Sequence, residues 1–121
     1  MQTKWFKIAA ISGALAVVLG AFGAHALKAS LEASGSLDTY KTAVLYHFLH
    51  SLFILVISFS PFHSQKVISS ISTLALVGII CFSGSLYGLT ILKWTWFGPI
   101  TPIGGLFFIA AWIYAAIKAK Q

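Results

Sequence analysis

Two imidazoles three residues apart, His47 and His50, stand in the stretch 42–51, inside an otherwise apolar run. Imidazole titrates near neutrality and ligates zinc, copper or haem iron, so such a pair raises proton transfer, metal binding and base catalysis together. On a helix, residues three apart diverge by about 60° around the axis. Tyr46 lies one turn before His50 on the same face, which makes Tyr46 and His50 the linked pair and His47 the accessory residue. The other residues able to do chemistry are His25, at the end of the apolar run 8–27, the hydroxyls Ser83, Ser85 and Tyr87, and Thr101. A Ser83 or Ser85 nucleophile with a His50 base has no acid in the apolar runs to orient the ring, so no catalytic group is assigned. A metal would have to be held by His25, His47 and His50 without a nearby carboxylate or a second cysteine, so no metal ligand and no cofactor is assigned.

The elements that position these residues follow from composition. Of 121 residues, 59% are hydrophobic and 8% charged, against about a quarter charged in soluble domains. Four nearly uncharged stretches of 18 or more residues account for most of the chain, and a stretch of about 20 crosses a bilayer. The expected fold is an all-α integral membrane four-helix bundle forming one domain over 1–121, with spans near 6–27, 40–60, 67–92 and 101–117. The net charge of +6 comes from eight lysines and no arginine. Those lysines flank the apolar runs, where they meet anionic headgroups, and no basic stripe with interleaved aromatics points to nucleic acid. The lone Cys81 sits inside a span and has no partner for an intrachain disulfide.

Along the chain, Lys4 and Lys7 precede an apolar run too long for the h-region of a secretory leader, so this segment reads as the first span. Its small residues Ala9, Gly13, Ala16, Gly20 and Ala24 form a stripe for close packing, within the chain or between copies. Leu27, Lys28, Leu31 and Glu32 fit a short interfacial helix that Gly35 ends, after which Ser36 or Asp38 can cap the second span. Pro61 ends that span in a short turn, where His63 reads as a wetted interfacial residue. The run 67–92 exceeds the crossing length and must tilt or project. Gly84 and Gly88 read as a close-packing pair, the residues 93–98 as an interfacial aromatic belt, and Thr101 as an N-cap with Pro102 at the first helical position.

Four spans put both termini on one side. Lys4, Lys7, Lys66, Lys118 and Lys120 fall on that side, with Lys28, Lys41 and Lys93 on the other, which predicts cytoplasmic termini in the cell's inner membrane. His25, Tyr46, His50, Ser83, Ser85, Tyr87 and Thr101 then fall in the outer half of the bundle, as a polar cluster and candidate binding site. Few helices and small-residue stripes point to a homo-oligomer embedded in lipid.

The segments 20–27, 42–50, 82–87 and 100–105 together resemble the YgdD/YwdK-like family of small bacterial inner-membrane proteins, a domain of unknown function with eukaryotic relatives. The resemblance spans essentially the whole chain. It implies a four-span membrane protein and no established reaction, and its polar pattern falls on His25, Tyr46, His50, Ser83, Ser85, Tyr87, Thr101 and Pro102. Position 47 departs from that pattern, which there more often carries Gln or another polar residue. The functional expectation is a structural or interaction component of the membrane rather than an enzyme. The alternative is transport of a small molecule, ion or proton through an oligomer using His50 and His25, ahead of metal binding or lipid modification.

Overall fold

In a computed structural model, which describes residues 2–120, the chain is helical throughout its ordered elements, and no strand occurs among the described residues. The helices are α1 (Thr3–Ala24), α2 (Lys28–Ala33), α3 (Leu37–Ser58), α4 (Gln65–Gly78), α5 (Gly84–Ile91) and α6 (Ile100–Lys118). A π-helical turn at Ile79–Ser83 joins α4 to α5, and a 3-10 turn at Thr95–Phe97 precedes α6. Four helical segments are long and apolar enough to cross a membrane: Thr3–Ala24, Leu37–Ser58, Gln65–Ile91 and Thr95–Lys118.

α3 and α4 form the central pair, with α1 lying against α3 and α6 against α4 and the π turn. Burial follows that placement. α3 buries nine residues over its whole length, whereas α1 buries only Trp5, Ala9, Ala16 and Gly23. These recur at spacings of four and seven, one narrow helical stripe turned to α3. The small-residue stripe of α1 is thus used inside the chain, where Gly13 faces Ser51, Gly20 faces Val44 and Gly23 receives the Tyr40 ring. In lipid such close approach matters more than apolar burial, because acyl chains are as apolar as leucine. The principal apolar core sits where α1, α3, α4 and α6 converge, around Ile54, Ile57, Ile71, Ala75 and Phe108.

The helix ends explain the connections. α2 stops in a paired reversal: the Gly35 N–H donates to the Glu32 carbonyl and the Ser36 N–H to the Leu31 carbonyl, with Gly35 at φ 69°. That left-handed position favours glycine. Ser36 is the residue before α3, but its side chain makes no capping bond. Ser64 does cap α4, its hydroxyl accepting from the Val67 N–H at 3.2 Å.

The two chain ends lie with the Pro61 turn. The Gln2 N–H donates to the Ser58 carbonyl and the Lys120 N–H to the Phe62 carbonyl. His63 is a clamp there rather than a wetted surface group. Its Nε2–H donates to the Ala115 carbonyl at 2.7 Å, so its Nδ1 accepts from the Ser60 hydroxyl at 2.6 Å. Ala115 belongs to the last turn of α6, whose carbonyls lack helical donors.

Candidate functional site

α3 runs from Leu37 to Ser58, a few residues earlier at each end than the expected span 40–60. His47 lies about 15 Å from either end of the helix by the helical rise. His47 is therefore close to the middle of α3, and His50 lies about 12 Å from its Ser58 end. Their divergence around the axis sends them to different neighbours, His47 toward α1 and α5 and His50 toward α6.

His47 is the centre of the larger network. The Ser51 hydroxyl donates to the His47 carbonyl at 2.8 Å, and this uses its only proton. Ser51 Oγ must then accept from the Ser12 hydroxyl, 2.6 Å away. Ser12 in turn accepts from His47 Nε2–H at 3.1 Å, which leaves Nδ1 as the acceptor for the Tyr87 hydroxyl at 2.9 Å. Every proton in the neutral chain is thus placed by the carbonyl at its end. The path runs from Tyr87 through His47, Ser12 and Ser51 back to the backbone of His47, and it stops there. His47 is 3% exposed and Ser51 2%, so these bonds replace water that the site does not admit.

His50 carries the opposite tautomer. Its Nδ1–H donates to the Tyr46 carbonyl at 2.8 Å, and its Nε2 accepts from the Trp112 indole N–H at 3.0 Å. A carbonyl only accepts and an indole only donates, so the two partners impose the same proton position independently. The ring also stacks on Phe108, with centroids 3.5 Å apart and planes 11° from parallel. Phe108 and Trp112 are four apart on α6 and present a single face to α3. Tyr46 stacks loosely with His50 at 6.1 Å, but its ring is 39% exposed and its hydroxyl makes no bond among the described residues.

The remaining predicted residues serve separate seams. Ser83, on the π turn, donates to the Ala43 carbonyl of α3 at 2.8 Å, and so bridges the central pair. Ser85 donates to the Phe82 carbonyl at 2.9 Å and accepts from Thr101 at 2.6 Å. Thr101 is therefore not an N-cap: α6 begins at Ile100, Thr101 and Pro102 lie in its first turn, and the hydroxyl faces α5. His25 ends α1 exposed, without a side-chain bond among the described residues and apart from the α3 histidines. The predicted residues thus fall into four separate hydrogen-bonded groups with His25 outside them. Ser12, Ser51, Phe108 and Trp112 complete the networks, and sequence reasoning passed over them. Ser51 sits four residues after His47, a spacing that could have found it; Trp112 carries no such local signal.

Chemically, both ring nitrogens of both histidines are engaged, and neither Ser83 nor Ser85 touches an imidazole. No three His, Cys, Asp or Glu side chains gather among the described residues. One buried hydroxyl, Ser72, has no partner there.

Residues 19–105 match the family described as "Protein of unknown function (DUF423)". The chain is 40% identical over 117 residues to the UPF0382 membrane protein YwdK of Bacillus subtilis, covering 94% of each chain. It is 37% identical to a UPF0382 membrane protein of Haemophilus influenzae, over 100% of this chain and 99% of that one. A fission yeast relative from Schizosaccharomyces pombe, UPF0382 membrane protein C1782.12c, is 35% identical over 92% of this chain and 96% of its own. No solved structure matches. Four apolar helices of crossing length and relatives of nearly the same extent agree: the chain is a membrane protein of the DUF423 family.

Proposed function

We propose that the chain is a small structural or interaction component of the cell's inner membrane, whose α3 histidines lock helices together rather than react. The observation that carries this reading is the closed hydrogen-bond chain of His47, which ends on its own backbone carbonyl. A proton relay needs a continuing acceptor, and a carbonyl is a dead end, which weighs against transport through this path. Lysine placement supports cytoplasmic termini, with five of the eight at the terminal end. Self-association is part of the reading, supported by the flanking helices: only 22% of the apolar window of α1, and the same share of that in the segment containing α6, is buried within the chain. Those flanks leave room for lipid or for a second copy.

Replacing His50 with leucine tests the lock directly. The change strands the Trp112 indole N–H, and the expected cost is about 1–2 kcal/mol, the scale of an interhelical hydrogen bond with its orphaned donor. Melting in detergent should fall accordingly, and any cellular phenotype should scale with the amount of folded protein. A His50→Leu protein that melts like the parent yet loses its phenotype would assign chemistry to the ring. A reporter at the C-terminus checks orientation, and cytoplasmic signal is expected.

A further inference from the structure

Toward the end of the bundle opposite the termini, a groove of about 530 Å³ runs along the α1–α3 seam. Gly20 and Gly23 line it where Val44 and the Tyr40 ring pack onto them, and Ala16, Ala24, Leu45 and Phe48 extend its apolar sides. Lys28 and Lys41 line it as well, both exposed. From Leu37 to Phe48 the α3 side is about 16 Å long by the helical rise, roughly half of the ~30 Å hydrocarbon core. An apolar slot one leaflet deep with two ammonium groups has the polarity of a phospholipid, tails below and charge above. The acids at that end do little to cancel the lysines. Glu32 stands 3.9 Å from Lys28 with both side chains more than half exposed, and Asp38 does not line the groove. A second concavity beside His50 and Trp112 has no charged residue, so nothing there selects a headgroup.

We infer that this groove seats an anionic phospholipid of the adjacent leaflet, its acyl chain along Gly20 and Val44 and its phosphate between Lys28 and Lys41. The inference uses neither α3 histidine, so it and the lock reading can fail separately.

The test titrates purified protein in neutral detergent with phosphatidylglycerol or phosphatidylcholine of identical chains, counting retained lipid by native mass spectrometry and following melting. Phosphatidylglycerol should be retained at roughly tenfold lower concentration, the scale expected for two lysines at a headgroup, and should raise the melting temperature. The double substitution Lys28→Gln, Lys41→Gln should bring the two lipids to within about twofold of one another. Ala24→Phe, which projects a ring into the mouth from an exposed position, should weaken both. Equal retention by the parent protein, or a preference that survives the double substitution, overturns the assignment. So does inorganic phosphate alone reproducing the melting shift. A particle of two chains that Ala24→Phe converts to one would give the groove to a second copy instead.

Discussion

Gly104→Ala is expected to lower the stability of the folded protein by about 3 kcal/mol, at the upper end of the cost of overpacking. The reason lies in what a methyl group would meet. A Cβ at Gly104 would fall on the backbone of the π turn, against Phe82 N and Cα and the Cys81 carbonyl carbon. Backbone inside a helix pair cannot swing aside, so α6 would have to move away from α4 and the π turn. That displacement would pull Phe108 and Trp112 off His50, since they share α6 with Gly104 and His50 stands on α3. Two other glycines provide the comparison. At Gly88 the obstruction is the Phe97 ring, part of an interfacial turn that can shift, so Gly88→Ala should cost about 1 kcal/mol. Around Gly84 only the Ile79 carbonyl lies within reach, at 3.9 Å, and alanine should be neutral or stabilising by up to ~1 kcal/mol through helix propensity. Thermal or SDS unfolding of the three variants checks the order. Equal effects at 84 and 104 would mean that the close approach to the π turn does not hold the bundle together.

The same glycines indicate what the sequence could disclose. The spacing of Gly84 and Gly88 suggests one close-packing face, yet only Gly88 is closely packed, and against its own chain's Phe97. Spacing reports which residues share a face, while the partner of that face depends on the global arrangement. The apolar runs, the proline turn and the Gly35 reversal were legible because hydropathy, ring closure and left-handed φ are local properties. The π turn was not, since it needs α6 against it. The site followed the same division. Tyr46 with His50 is a true i, i+4 pair, and its backbone bond is local. Whether a residue on that face looks into the protein or out to lipid is decided by α1 and α6, and they bury His47 and leave Tyr46 exposed.

His47→Leu carries the second large effect. Leucine fills much of the imidazole's volume but strands the Tyr87 hydroxyl and removes the donor that fixes Ser12, both partly buried. Interhelical hydrogen bonds in membranes average about 0.6 kcal/mol and reach about 2, and an orphaned buried group adds about 1–3. The expected loss is about 2–3 kcal/mol, below Gly104→Ala because side chains relax more readily than backbone. A structural lock makes a further prediction that a proton relay does not. The Gln amide offers one acceptor and two donors, so His47→Gln can take the Tyr87 proton on its oxygen and give an N–H to Ser12. It should recover about half of the loss although it cannot titrate. Tyr87→Phe alone should cost about 1 kcal/mol, and much less in the His47→Leu background, because the bond it removes is already gone. Melting curves for the two single variants and the double give that coupling. If glutamine is no better than leucine in melting, or if it restores stability while activity in the cell stays lost, the ring is needed for its proton and the lock reading of α3 fails.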